Sequence, residues 1–298
     1  SSNGIKVYLF SALRPTPQLS FAVRELGCKS GIVITASHNP KEYNGYKVYG
    51  EDGCQIVSPF DVELISKVRS LTIDDVSFNA NEHLIIPLGE DMDQTYIDRL
   101  KTVCLSPDAI KAQKDLPVVF TGIHGTGVVM VPKALKAIGF TNIITVEEQD
   151  VIDGNFPTVQ SPNPEEPAAL ALAIELAKKN GAELVMGTDP DADRVGIAIP
   201  NKKGDFELLN GNQTGALLVN YLITRWKELG KIKGTEFIAK TVVTTDLMDV
   251  IAKSNGVKVY NTLTGFKHIG ALIRSLEGVE KFIGGGEESY GYLAGDFV

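Results

Sequence analysis

Short apolar runs that stop at polar turns alternate with helical segments along most of this 298-residue chain. That alternation confines it to layered α/β architectures. Val7 to Phe10, Gly31 to Thr35 and Tyr46 to Tyr49 read as strands, and Pro17 to Leu26 as a helix ended by Gly27. Ser58 stands as an N-cap, with Pro59 at the first helical position and Asp61 in the first turn. The stretch from Leu71 to Asp93 is polar and weakly patterned and reads as a linker, followed by a helix from Tyr96 to Val103. A second group holds a strand Pro117 to Thr121, a helix to Ile138 stopped by Gly139, and a strand Asn142 to Val146. Glu165-Glu166-Pro167 opens a further helix closed by Gly181, and strands Leu184 to Met186 and Val195 to Ile199 follow. A third group holds strand Phe237 to Val243, Asp246 as a helix cap, strand Val257 to Tyr260, a helix from Thr264-Gly265 to Leu276, and Phe282-Ile283.

Composition narrows the partners. A net charge of -8 argues against nucleic acid and leaves room for a locally positive site that takes an anionic small molecule. No run approaches the ~18 apolar residues of a membrane span, so no membrane partner is expected. Cys28, Cys54 and Cys104 are odd in number, far apart and without zinc spacing, which suits a reducing cytoplasm.

Three polar turns carry the chemistry. In Thr35-Ala36-Ser37-His38-Asn39-Pro40, Ser37 follows a strand at the sheet edge where open α/β folds bind ligands. A serine hydroxyl needs activation or rests as an ester. Adjacent side chains on an extended chain diverge, so His38 is expected to contact phosphate or position the loop, without touching Ser37. Lys47, after the Asn44-Gly45 turn, can fold back to bring positive charge. In Gly187-Thr188-Asp189-Pro190-Asp191-Ala192-Asp193-Arg194, the i, i+2, i+4 spacing on an extended loop puts three carboxylates on one side. Such a cluster calls for a cation, and hard oxygen ligands suit magnesium. A calcium-binding EF-hand is excluded, because Arg194 and Pro200 occupy the places of its glycine and glutamate. Arg194 offers a planar donor fork. In Gly284-Gly285-Gly286-Glu287-Glu288-Ser289, glycines permit unusual dihedrals and close ligand approach ahead of side chains suited to sugar hydroxyls. Lys267 and His268 open a helix whose free amides favour an anion. His124-Gly125-Thr126-Gly127 reads as a structural turn in preference to a phosphate loop, and Arg14-Pro15-Thr16-Pro17 as a weaker aid to the site.

Together, in this order, these loops resemble the active-site loops of the α-D-phosphohexomutases, the phosphoglucomutase/phosphomannomutase family. The resemblance implies three consecutive α/β domains with mixed sheets, over residues 1–92, 93–204 and 205–298, with the active site at the inter-domain cleft. It further implies that Ser37 carries a phosphoryl group and that Mg2+ is held by Ser37, Asp189, Asp191 and Asp193. Ser37, His38, Lys47, Arg194 and Lys267 become the expected catalytic residues, and Glu287, Ser289, Lys267 and His268 the phosphosugar contacts. Glu288 fills the variable position of the sugar loop. The implied reaction interconverts hexose 1- and 6-phosphates through glucose 1,6-bisphosphate or its hexose equivalent. Tyr290-Gly291-Tyr292 departs from forms with Ser-Gly-His and is closer to glucose-preferring or pentose-handling branches. The chain is expected to lack the first part of domain 1 and a C-terminal phosphate-binding domain, leaving an apolar face or edge exposed. Two other classes stand beside this one. Asp191-Ala192-Asp193-Arg194-Val195 also resembles the haloacid-dehalogenase nucleophile motif, with an aspartyl phosphate. A non-catalytic phosphosugar-binding protein would not require Ser37 and all three aspartates together.

Overall fold

The computed structural model describes residues 1–297. The first unit begins with β1 (Val7–Phe10), α1 (Thr16–Glu25), β2 (Ser30–Ile34), β3 (Tyr46–Gly50) and α2 (Phe60–Arg69), and then β4 (Ile85–Leu88). β1 pairs with β4 in parallel, and β2 with β3 antiparallel across the Asn44-Gly45 turn. Helices α3 (Glu90–Lys101) and α4 (Pro107–Ala112) lead to the second unit. There β5 (Val118–Thr121), α5 (Gly127–Ile138), β6 (Ile143–Thr145), α6 (Ala171–Asn180), β7 (Leu184–Thr188), β8 (Val195–Pro200) and β9 (Phe206–Leu209) follow in turn. Its sheet has the order β6-β5-β7-β8-β9, parallel through β7 and antiparallel beyond it. The third unit holds α7 (Gly211–Glu228), β10 (Glu236–Thr241), α8 (Leu247–Ser254), β11 (Lys258–Thr262), α9 (Phe266–Leu276), β12 (Lys281–Gly286) and β13 (Tyr292–Ala294). Its sheet, β11-β10-β12-β13, is parallel except for β13. The architecture is therefore three consecutive α/β units with mixed sheets.

Each larger sheet is buried between helices. Ile238 and Ile283 of the third sheet pack on Val219 and Ile223 of α7 and Met248 of α8. Val119 and Val185 of the second pack on Ala173 and Ala177 of α6, small residues that let helix and sheet approach closely. A separate cluster of Phe21, Tyr96, Ile97 and Met130 ties α1 to α3 and α5, joining the first unit to the second. Burying a phenylalanine such as Phe21 contributes roughly 2 kcal/mol. The first unit is less covered. Ile32, Ile34 and Tyr46 of the β2–β3 pair are exposed, as are Phe60, Val62, Ile65 and Val68 of α2.

Several sequence expectations need correction here. α2 starts at Phe60, not Pro59, and Ser58 does not cap it, because Val57 O already accepts the amides of Phe60 and Asp61. The segment 71–93 is not all linker. It holds β4, a four-residue strand whose proline is tolerated because it pairs with β1 alone. α3 starts at Glu90, six residues before Tyr96, with Glu90, Asp91 and Asp93 complementing its N-terminal dipole. Residues 167–170 form a 3₁₀ turn before α6 begins at Ala171. Asp246 occupies the N-cap position of α8 without a capping hydrogen bond, because its carboxylate pairs with Lys240 instead.

Asp93 of α3 is the polar anchor of the junction between units. Its side chain is 1% exposed and accepts from Arg14 Nε and Nη2 at 2.7 and 2.8 Å and from Gln18 Nε2 at 2.7 Å. Burial pushes this carboxyl up, but the bonds from Arg14 and Gln18 outweigh it and hold it below the usual carboxylate range. A depressed folded pKa gives stability that is complete above the unfolded carboxylate range and is lost as pH falls through the folded value. Asp93→Asn is expected to lower stability by about 3 kcal/mol near neutral pH and to flatten the acid limb, measured by urea unfolding from pH 7 to pH 3.

Candidate active site

The three aspartates meet where β7 ends. They do not lie on an extended strand. Ala192 takes a left-handed φ of 54° and its amide bonds to Asp189 O at 3.0 Å, so a tight turn brings Asp189, Asp191 and Asp193 together. One carboxylate oxygen from each lies within 4.8 Å of the others. Asp189 and Asp191 are buried, 0% and 4% exposed.

The turn is held from below by the loop before α5. The amide and hydroxyl of Thr126 both donate to Pro190 O, at 2.7 and 3.0 Å. Gly125 passes so close that a Cβ there would lie 2.3 Å from Pro190 Cα. His124 is 2% exposed and has both ring nitrogens engaged, Nδ1 with Val151 O and Nε2 with the Thr158 hydroxyl. His124-Gly125-Thr126-Gly127 is thus the platform of the aspartate turn, a role its sequence signalled only as a turn.

The first unit supplies the opposite wall. Ser37 has a φ of 55°, and its hydroxyl donates to Asp189 Oδ2 at 2.9 Å and lies 3.2 Å from His38 Nδ1. The expectation that His38 would point away from Ser37 is therefore wrong. Side-chain alternation applies to extended backbone, and Ser37 has left the strand. Lys47 does fold back, carried by the β2–β3 register that pairs it with Val33. Its ammonium reaches past Ser37 to Asp191 Oδ2 at 2.9 Å and Asp193 Oδ2 at 3.3 Å. Thr16, at the start of α1, belongs to the Arg14-Pro15-Thr16-Pro17 stretch that reads as a weaker aid to the site, yet it bonds Asp191 twice: amide to carbonyl at 2.8 Å and hydroxyl to Oδ2 at 3.1 Å.

The charges are unequal. Burial, reinforced by the charges of Asp193 and Asp191, raises the Asp189 carboxyl well above its ordinary range. Burial also raises Asp191, but the charge and hydrogen bond of Lys47 overcome it and hold that group low. Asp193 is raised by burial and by Asp191, against Lys47 and Arg194. Lys47 is lowered by burial and raised further by Asp193 and Asp191, so it stays protonated. Burial and the positive charges of Arg194 and Lys47 lower His38, which keeps its imidazole neutral. Asp191 Oδ1 and Asp193 Oδ1 are buried without a hydrogen-bond partner. Clustered carboxylates with spare oxygens fit a hard divalent cation, and Asp189, Asp191, Asp193 and Ser37 Oγ are the atoms placed to hold one.

Arg194 donates its amide to Asp189 Oδ1 at 3.1 Å, and its guanidinium is engaged by Glu165 Oε1 at 3.0 Å. Glu165, read in sequence only as a helix opener, is part of the site wall. The third unit closes the far side. Gly284, Gly285 and Gly286 do not take up the unusual dihedrals that glycine permits. They are the end of β12, where a Cβ on Gly285 would lie 1.8 Å from Ala239 O of the neighbouring strand. Glu287 is 7% exposed, and its Oε1 accepts from Gly265 N at 2.5 Å, so the start of α9 already faces a carboxylate of this chain. Burial raises the Glu287 carboxyl against that bond. Ser289 follows, half-buried, and Tyr290 O accepts from Val195 N at 3.1 Å, tying this loop to β8. Lys267 and His268 are half-buried at the start of α9, with Lys267 Nζ 3.8 Å from Asp61 of the first unit.

Lys47, Thr16 and Tyr49 of the first unit, Asp193 of the second and Phe266, Lys267 and Tyr292 of the third line one cavity of about 120 Å³. Larger hollows of about 450 and 430 Å³ are not lined by any of the three aspartates, although the second reaches Ala192 in the backbone of their turn. Chemistry and not volume selects the site. Gly125→Ala, which forces the Pro190 backbone away, is expected to destabilise the chain by about 2 kcal/mol in thermal unfolding.

Three α/β units that bring a serine loop, an aspartate loop and a Glu-x-Ser loop to one cleft define a recognisable class. The chain belongs to the phosphoglucomutase/phosphomannomutase family. Alpha/beta/alpha domains I, II and III of that family match residues 1–73, 94–204 and 210–298 in order. A phosphoglucomutase of Staphylococcus haemolyticus is 41% identical over 299 residues, covering 100% of this chain and 54% of that protein. This chain therefore spans about half the length of the curated relatives it matches. A Thermus thermophilus protein assigned as a phosphomannomutase superposes with a TM-score of 0.74 at 26% identity, over 98% of this chain and 60% of the other. The N-acetylphosphoglucosamine mutase of Aspergillus fumigatus, solved with GlcNAc-6P and magnesium, shares the fold with a TM-score of 0.58 at 15% identity, over 93% of this chain and 64% of the other. Among the described residues, no helix is long and apolar enough to cross a membrane.

Proposed function

We propose that this chain forms the catalytic part of a phosphohexomutase that interconverts hexose 1- and 6-phosphates. Ser37 is the phosphoryl carrier, and a hexose 1,6-bisphosphate is the intermediate. The observation that carries this reading is the Ser37 hydroxyl 2.9 Å from Asp189, on the rim of a buried carboxylate triad with two unpartnered oxygens. A general acidic surface would not gather three carboxylates, two of them fully buried, around a loop-end serine.

The residues divide the work. Magnesium held by Asp189, Asp191, Asp193 and Ser37 would offset the negative charge of the transferring phosphoryl group. Lys47 adds positive charge beside Asp191 and Asp193 and limits their mutual repulsion. His38, neutral beside Ser37, fixes the hydroxyl and stands ready to contact phosphate. Arg194, oriented by Glu165, faces the same cleft. Glu287 and Ser289 read the sugar hydroxyls from the third unit. Lys267 is the candidate contact to the phosphosugar and the candidate acid/base, with His268 beside it. Three free, widely spaced thiols support a cytoplasmic placement.

Incubation with glucose 1,6-bisphosphate is expected to add one phosphate to Ser37, read by intact mass and peptide mapping. Ser37→Ala should lose that label and most turnover while melting as the parent does. A phosphate recovered on Asp191 would overturn the assignment in favour of the aspartyl chemistry. Asp191→Asn is expected to weaken magnesium binding by at least about tenfold in calorimetric titration, because one charged ligand is lost. Unchanged affinity would remove the metal from this turn.

A further inference from the structure

We propose that Glu288 is the positioning residue of the sugar-reading loop. It is the anchor that fixes Glu287 and Ser289 by locking the peptide between them to the end of β10. The proposal rests on Glu287 and Ser289 being the sugar contacts, and it assigns to the middle residue a role that its variable place in the motif does not suggest.

Two adjacent carboxylates leave this loop for different partners. Glu287 Oε1 accepts from Gly265 N at the start of α9. Glu288 Oε2 lies 3.1 Å from the Thr241 hydroxyl and 3.0 Å from the Thr244 hydroxyl, and Glu288 N donates to Thr244 Oγ1 at 3.1 Å. The loop is thus stretched between α9 on one side and the β10–α8 turn on the other. Releasing the second attachment leaves Glu287 held only by its own partners.

The receiving turn is rigid. Thr241 and Thr244 are 0% and 2% exposed, and their hydroxyls lie 2.7 Å apart. Those two hydroxyls own two protons for three short contacts, and an ionised Glu288 can only accept. At least one proton must therefore point at Glu288 for the set to be satisfied. Lys240, 1% exposed, donates to Thr244 O at 3.0 Å and pairs with Asp249 at 3.1 Å. Asn212 Oδ1 accepts from Thr245 N at 2.8 Å. A turn fixed in this way transmits its position to whatever is bonded to it.

The test compares Glu288→Ala, Glu288→Gln and Thr244→Val in the full chain by hydrogen exchange and by steady-state kinetics with glucose 1-phosphate. Glutamine keeps one acceptor oxygen, alanine removes the carboxylate's bonds to both threonines and leaves only the amide bond to Thr244, and valine removes both Thr244 contacts and leaves only Thr241. The alanine and valine variants are expected to raise KM about tenfold with kcat within about twofold, because sugar binding is lost about equally in ground and transition states. Phosphorylation of Ser37 by acetyl phosphate should stay within about twofold, and Glu288→Gln should recover KM to within about threefold. The amides of Gly265 and Glu287 should lose protection in the alanine variant and keep it in the glutamine variant, while β10 and β12 stay protected. Unchanged protection at those two amides overturns the proposal, and so does a uniform loss across the third unit, which would make Glu288 a core stabiliser. If the parent turns over no hexose phosphate, the reading of the reaction falls, and the exchange data still decide whether Glu288 anchors the loop.

Discussion

The mutual repulsion of Asp189, Asp191 and Asp193 is the constraint around which the rest of the molecule is arranged. Three carboxylates with at least one oxygen each inside 4.8 Å persist in a buried turn only if the surroundings supply donors and positive charge. The supply comes from all sides. Ser37, Lys47 and Thr16 arrive from the first unit, and Arg194 N–H from the turn itself, with Thr126 holding the backbone beneath. Because no single unit carries all of these groups, the turn also serves as the mortar between units. The Arg14–Asp93–Gln18 network and the Phe21–Tyr96 packing keep α1, and hence Thr16, in place.

The loops that bear chemistry were legible because each follows a short apolar strand and breaks sharply into polar residues. Their residue types survive any uncertainty in backbone detail. The conformations were less legible. The extended-chain rule placed the three aspartates together for the wrong reason and separated Ser37 from His38 when they in fact touch. Both failures have one cause: residues with left-handed φ, Ala192 and Ser37, whose residue types do not signal that region. The run Gly284-Gly285-Gly286 suggested unusual dihedrals and close ligand approach, and it proved to be close strand packing.

The elements that went unread are instructive in the same way. α7, eighteen residues long, carries a capping box between Asn210 and Gln213 that is present in the sequence. Its apolar residues, however, are interrupted by exposed ones such as Leu217 and Leu218, which blur its periodicity. β4 was hidden by Pro87. Thr16 stands in a weak motif and Glu165 in a helix opening, and neither local pattern names its partner. Their importance comes from partners far away along the chain, Asp191 for one and Arg194 for the other.

The bond from Val195 N to Tyr290 O has a consequence for how such a site can diversify. It joins the strand leaving the aspartate turn to the residue just after the Glu-x-Ser segment, and both of its atoms belong to the main chain. Side-chain substitution at either position, proline at 195 excepted, leaves donor and acceptor intact. What residue 290 must supply is tolerance of a φ of 69°, and the Tyr290 ring, 5% exposed, offsets that backbone cost by burial. The spacing between the aspartate turn and the Glu-x-Ser loop is therefore written in peptide geometry. A lineage can exchange the side chains that this loop presents while its distance to the aspartate turn is inherited unchanged.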